Sequence, residues 1–178
     1  MQVEPFSLSP SMLSRKMLCL AFESAPFDPT TRLRFLGLHA MAAVATIKRH
    51  IALGYRLRSV EKSGKGFRVD LLFDTPTGKS RLVEAKSGSN IRNIHCIQAA
   101  LYWKPGIDEI VISNQRTDQL LTSQFIMEVA EKAEITLKLL ESDPQTAATT
   151  FTPNSDCCYI CANAACPWLP LARKGRIP

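Results

Sequence analysis

Asp70 stands in the middle of an apolar run, Phe67-Arg68-Val69-Asp70-Leu71-Leu72-Phe73. A charged side chain there is costly unless it is paired or holds a metal ion. Glu84-Ala85-Lys86 closes the next run that reads as a strand. Side chains on a pleated strand repeat every two residues, so Glu84 and Lys86 share a face. Ala85 turns the other way while its carbonyl stays near them. A hairpin joining the two strands brings Asp70 beside Glu84. Two carboxylates and a carbonyl form a hard, oxygen-rich site suited to Mg²⁺ or Mn²⁺. The Lys86 ammonium can orient or help deprotonate a water, or stabilise charge building on a phosphate. These are the parts of metal-assisted phosphodiester hydrolysis. The plainer alternative is a surface hairpin with a Glu–Lys pair, and the apolar context of both runs weighs against it.

Gln98 and Tyr102 follow at i and i+4 and share a face if residues 94–103 are helical. They can hold a nucleic-acid strand or brace the carboxylates, the alternative being a helix surface with a buried Tyr. His39 lies on a long apolar helical pattern, where a His taken by itself is more often a satisfied core residue than a ligand. His50, among Lys48 and Arg49 at a helix end where a cation suits the dipole, reads as structural or solvated, as does His95.

Four of the six cysteines, Cys157, Cys158, Cys161 and Cys166, lie close to the end of the sequence, and Cys19 lies near its start. Cys158, Cys161 and Cys166 need a fourth ligand to close a tetrahedral or cluster site, and Cys19 can supply it by bringing the two ends together. Thiolates are soft, so such a site selects Zn²⁺ or iron–sulfur rather than the ion of the carboxylate site. Cys157, adjacent to Cys158, leaves two choices for that ligand. Cys96 reads as a small buried hydrophobe.

The order His39, Asp70, Glu84-x-Lys86, Gln98-x-x-x-Tyr102, flanked by one early and three late cysteines, resembles the RecB-type nucleases of the PD-(D/E)xK superfamily. Within it the pattern is most similar to the iron–sulfur branch that includes the CRISPR-associated Cas exonucleases of spacer adaptation. The resemblance spans residues 9–168. It implies a restriction-endonuclease-like core and a catalytic Mg²⁺ or Mn²⁺ held by His39, Asp70, Glu84 and the Ala85 carbonyl. It gives catalytic roles to Asp70, Glu84, Lys86, Gln98 and Tyr102. It also implies a four-iron cluster on Cys19, Cys158, Cys161 and Cys166, with Zn²⁺ as the alternative. The implied activity is exonucleolytic trimming of single-stranded DNA or overhangs during prespacer processing, beside the CRISPR integrase complex. One departure is the last cysteine spacing: the family usually places five residues between these two cysteines, and here four intervene. Two other readings stay open: a DNA-binding assembly module with a silent or partner-gated nuclease site, and a zinc-stapled restriction-type defence endonuclease.

These residues need elements to carry them. A short helix starting at Ser9 or Ser11 is expected, broken by Pro26–Thr31. A long amphipathic helix follows over Arg32–Leu53, with Gly54 as its stop. Tyr55–Lys62, Phe67–Asp74 and Arg81–Ala85 read as an antiparallel meander with turns at 63–66 and 75–78. A polar loop over Ser87–Asn93 leads to a helix over Ile94–Trp103. Glu109–Ser113 reads as a buried strand, Gln119–Lys132 as a helix, and Ile135–Leu140 as a strand or an extension of that helix. If it is a strand, the spacing predicts a parallel crossover between 109–113 and 135–140. A polar linker occupies 142–156.

The whole is an α/β fold with a mixed central sheet flanked by helices, its two ends joined by the cysteine site. It reads as one domain over 1–178: an N-terminal helical part (9–54), a core (55–141), and a linker with the cysteine segment (142–178).

The 178 residues carry a formal net charge of +6. Residues 1–104 hold 16 basic and 7 acidic side chains, a net of +9, and residues 105–178 hold 6 and 9, a net of −3. A basic half suggests a polyanionic partner such as DNA. Arg32, Arg34, Lys48, Arg49, Arg56, Arg58, Lys62, Lys65 and Arg68 are the candidate phosphate contacts, and Tyr55, Phe67 and Trp103 are candidates for stacking on bases. No run is long enough for a membrane span, so a cytoplasmic protein without a membrane partner is expected.

Overall fold

The computed structural model describes residues 8–24, 28–64 and 67–172. Part of the Pro26–Thr31 break and the Lys65–Gly66 turn lie outside the described residues, as do the side chains of Lys62, Phe67 and Arg68.

Helix α1 (Pro10–Leu18) starts where the Ser9 hydroxyl accepts the Met12 N–H at 3.3 Å. Helix α2 (Pro29–Ala52) starts where the Asp28 carboxylate accepts the Thr31 N–H at 2.9 Å. It therefore opens before Arg32, because Pro29 occupies the first helical position. A proline there needs no N–H partner and begins a helix rather than breaking one. Gly54, at φ +83°, ends it as expected.

Five strands follow: β1 (Arg56–Gly64), β2 (Phe67–Asp74), β3 (Ser80–Ala85), β4 (Glu109–Ser113) and β5 (Asp118–Leu120). They form one mixed sheet in the order β1-β2-β3-β4-β5. The β1-β2-β3 meander is antiparallel, as expected. Strands β3 and β4 are parallel, joined by helix α3 (Asn93–Ala100). The parallel crossover thus runs through α3 and not between 109–113 and 135–140.

Residues 118–120 pair antiparallel with β4, and a single helix α4 (Ser123–Ser142) absorbs both the expected helix and Ile135–Leu140. The β-branched pair Ile135-Thr136 suggests a strand. The helix wins because Val129, Ala133 and Thr136 repeat at helical spacing and are buried together. Thr136 also returns its hydroxyl proton to the Lys132 carbonyl at 2.8 Å. A short helix α5 (Pro144–Thr149), capped by Asp143, lies in the stretch read as linker. A 3-10 turn (Cys158–Ile160) and helix α6 (Leu169–Ala172) complete the described chain.

The sheet is covered on both faces. Leu72, Leu82, Ile110 and Ile112 pack with Leu13 of α1, Ile97 of α3 and Val129 of α4. Leu71, Phe73, Val83 and Val111 pack on the other face with Ile47 of α2. Among the described residues no helix is long and apolar enough to cross a membrane.

His50 is structural, as one of its two readings expects, and it is not solvated. Its ring is fully buried, stacked on Phe73 with centroids 4.8 Å apart. Its Nδ1–H donates to the Thr46 carbonyl at 3.0 Å, and its buried Nε2 has no hydrogen-bond partner. Burial pulls its pKa below the usual 6.5. Below that pH the unfolded chain takes up a proton that the folded chain resists, so His50's share of stability is complete above pH 6.5 and falls as the solution is acidified. Urea midpoints at a series of pH values should therefore drop more steeply on acidification for the wild type than for His50→Gln. Parallel curves would contradict this.

Candidate active site

The carboxylates meet through sheet register. Leu71 pairs with Val83 in the β2–β3 ladder, so one step further Asp70 stands opposite Glu84. There the Asp70 side chain takes over from the backbone: its Oδ2 accepts the Ala85 N–H at 2.8 Å. Ala85 is buried against β4, and the Lys86 N–H continues the parallel pairing by donating to the Ser113 carbonyl at 2.7 Å. Glu84 and Lys86 therefore emerge at the carboxyl end of the parallel pair, where open α/β sheets characteristically bind ligands.

The side chains form one network. Lys86 Nζ donates to Glu84 Oε1 at 2.7 Å and to Gln98 Oε1 at 3.1 Å. Gln98 Nε2 donates to Glu84 Oε1 at 2.9 Å and to the Tyr102 hydroxyl at 3.3 Å. Helix α3 ends at Ala100, but Tyr102 remains in the following turn, one helical turn beyond Gln98. On the opposite side, His39 Nε2 of α2 lies 3.3 Å from Asp70 Oδ1. All seven residues expected at the carboxylate site are thus brought together, from α2, β2, β3 and the strand-to-helix segment through α3.

Burial pushes the Glu84 carboxyl up to about 7, opposed by the Lys86 ammonium and reinforced by Asp70. Its Oε2 is buried without a hydrogen-bond partner. The hydrogen bond to Asp70 raises the His39 pKa above the usual 6.5, against the effect of burial. His95 goes the other way: burial, with Lys86 and Arg92 nearby, pulls it down to about 4. Its Nδ1 accepts the Arg92 N–H at 3.2 Å, a structural role at the start of α3.

The network forms the floor of a cleft of about 1410 Å³. Arg32, Phe35 and Leu36 of α2 line one wall, Arg15 of α1 and Arg92 line others, and Ser155, Asp156 and Ile160 close it from the C-terminal segment. The Ser87–Asn90 loop also lines it, anchored where buried Asn114 donates to the Ser89 carbonyl at 2.9 Å. Several basic residues expected at phosphates are used elsewhere. Arg49 binds Asp118, Ser113 and the Asn114 carbonyl, while Arg56 and Arg58 bind Asp74. Tyr55 lies under the Arg81 guanidinium and beside His50, on the core side of the sheet. Arg15, Arg92 and Phe35 were not legible as cleft residues, because nothing in their local pattern separates them from surface positions.

The cysteines gather at a second place. Cys19, Cys157, Cys158 and Cys166 are buried, Cys161 is half-buried, and all six cysteines are free thiols. Cys158 is within electrostatic reach of Cys166, Cys19 and Cys161, and burial raises its pKa. Burial pushes Cys157 up to about 12. The Thr152 N–H points at the Cys19 sulfur at 3.5 Å and the Asn154 N–H at the Cys158 sulfur at 3.3 Å.

Backbone bonds tie the same two segments together. Ala21 N–H donates to the Thr150 carbonyl, Ala162 N–H to the Glu23 carbonyl, and Ser24 bridges to Cys161. The buried Asn163 amide donates to the Ala21 carbonyl at 2.9 Å. Among the described residues no group of three or more His, Cys, Asp or Glu side chains stands in an arrangement that would hold a metal ion as placed.

Compared with models of protein families, with curated proteins and with solved structures, the chain matches none. The reading of the site therefore stands on its residues and their geometry.

Proposed function

We propose that the protein is a metal-dependent deoxyribonuclease with a restriction-endonuclease-like core, cutting single-stranded DNA or overhangs. The observation that carries this is the joined network of Asp70, Glu84, Lys86, Gln98 and Tyr102 on the floor of a cleft with arginines in its walls. The buried, partnerless Glu84 Oε2 suits a hard divalent cation, because a carboxylate oxygen without a donor is costly to bury. Asp70, Glu84, the Ala85 carbonyl and the His39 imidazole would hold Mg²⁺ or Mn²⁺. When bound, such an ion supplies a Lewis acid for a phosphodiester. Lys86 eases the charging of Glu84 and places a cation where a phosphate gathers negative charge. Gln98 fixes Lys86 against Glu84 by bonding both, and Tyr102 steadies Gln98.

At the second place, Cys19, Cys158, Cys161 and Cys166 would hold a four-iron cluster, or Zn²⁺. Backbone N–H groups aimed at two of the sulfurs suit thiolate ligands. Such a group supplies a clamp between segments that hydrogen bonds already join. The visible absorption of protein purified without oxygen separates iron–sulfur from zinc. The proposed setting is prespacer processing beside the CRISPR integrase complex.

The test is incubation of end-labelled single-stranded DNA with the full chain in Mn²⁺ or Mg²⁺ and in chelator. Fragments that appear with the ions and vanish with chelator are expected. Intact DNA under all three conditions overturns the proposal.

A further inference from the structure

Helix α3 carries Gln98, and with it the hydrogen bonds to Lys86 and Glu84. Its first turn is held by the C-terminal segment. Asp156 Oδ2 accepts the Ile94 N–H at 3.3 Å, across 62 residues of sequence, and Asp156 Oδ1 lies 3.7 Å from the Arg92 guanidinium. An N–H in the first turn of a helix finds no partner within the helix, and a carboxylate there also suits the dipole. Arg92, at the cap position, brings a guanidinium, which has donors only, so the acceptor comes from a distant part of the chain.

The Ile94 side chain is seated in the same place. It is buried with Cys19, Ala21, Phe22 and Cys157, the apolar cluster between the two ends of the chain. Asp156 is braced there as well. Its N–H donates to Asn154 Oδ1 at 2.8 Å, and the Asn154 carbonyl accepts the Cys157 and Cys158 N–H groups. Gln98 follows Ile94 by four residues, roughly 6 Å further along the same side of α3.

We infer that Asp156 is a positioning residue for the carboxylate site, acting through α3. The contacts run from Asp156 to Ile94, along one turn to Gln98, and from there to Lys86 and Glu84. A loosened C-terminal segment frees the first turn of α3, and Lys86 then loses one of the two acceptors that fix it. The consequence for cleavage rests on the nuclease reading, whereas the path of contacts does not.

The experiment reads Gln98 directly. Its side-chain amide is followed by isotope-edited NMR, and the α3 backbone amides by hydrogen exchange, in the full chain without added divalent metal. Asp156→Ala should speed exchange of the Ile94 amide about 2- to 30-fold, the loss of one cap. It should also move the Gln98 amide signals toward those of a solvated side chain. Asn caps a helix as well as Asp does, so Asp156→Asn should keep both readings at wild-type values. The two variants lose the same charge, and a difference between them therefore reports the hydrogen bond. Asn163→Ala breaks the bond to the Ala21 carbonyl away from the cleft. It should move Gln98 in the same direction and add little to Asp156→Ala, because both act along one path. Should Asn163→Ala not fold, the two Asp156 variants decide alone. With Mn²⁺ and single-stranded DNA, Asp156→Ala should slow single-turnover cleavage about 10-fold, as for groups that support a metal site without touching the ion. Asp156→Asn should restore the rate.

Gln98 signals unmoved in Asp156→Ala, or Ala and Asn variants alike in every reading, overturn the inference. A protein whose Gln98 responds but which never cuts DNA with Mn²⁺ retains the coupling and loses the nuclease reading. One that cuts DNA at the wild-type rate as Asp156→Ala, with Gln98 in place, does the reverse.

Discussion

Replacing Lys86 with alanine should slow cleavage of single-stranded DNA by about 10²–10⁴-fold and move the rising limb of the pH profile upward. The Glu84 carboxyl is already raised to about 7 by burial, with the Lys86 ammonium the leading influence that holds it down. Without that ammonium, Glu84 keeps its proton to higher pH. A carboxyl must be charged to hold a divalent cation, so the wild type should take up Mn²⁺ more tightly as pH rises through about 7. The variant should do so only at more alkaline pH. Calorimetric titration with Mn²⁺ on either side of neutrality reads the first effect, and single-turnover cleavage across pH reads the second. Equal rates and superimposed pH limbs would show that Lys86 is a bystander. Gln98 sharpens the expectation: it would still bond Glu84 in the variant, so a loss of activity belongs to the missing charge rather than to a collapsed helix contact.

Phe73→Ala should cost about 3–5 kcal/mol of stability. Phe73 is fully buried in the layer between the sheet and α2, among Leu71, Val83, Val111 and Ile47, with its ring on that of His50. Removing the ring leaves a cavity among Leu71, Val83 and Val111, and its lining loses contacts. For a chain of this length the melting temperature should fall by roughly 6–20 °C. The same layer holds down the C-terminal part of α2, the helix that carries His39 to Asp70. Thermal melts of the purified variant check the first claim, and melting temperatures within a degree or two of the wild type would refute it.

The carboxylate site was legible because its parts are short-range. Asp70 and Glu84 lie on neighbouring strands of one hairpin, Lys86 is two residues on, and Gln98 with Tyr102 sits on the next helix. Period-two and period-four spacing were enough to place them. The gathering of the late cysteines was legible because four of the six lie close together in sequence, and Cys19, expected as a fourth ligand, is placed near them. What escaped reading depended on tertiary competition. Pro29 starts a helix only because Asp28 caps it. Ile135-Thr136 favours a strand locally, and burial of Val129, Ala133 and Thr136 along one helix face outweighs that preference. Arg49, Arg56 and Arg58 looked like phosphate ligands, but the acidic partners that occupy them, Asp118 and Asp74, are found only once the sheet is assembled. Phe35 and Arg15 became cleft residues by the placement of whole helices.

The clasp between the two ends has a consequence in time. The groups that bind Cys19 and Ala21 lie 129 to 142 residues further along the chain. During synthesis the strands carrying Asp70 and Glu84, and Lys86 after them, leave the ribosome well before Ser155, Asp156 and Ile160, which line one side of the cleft. A nascent chain therefore carries its paired carboxylates before the cleft above them is finished. The order of translation itself delays the completion of the cleft until the later segment has come back to the first.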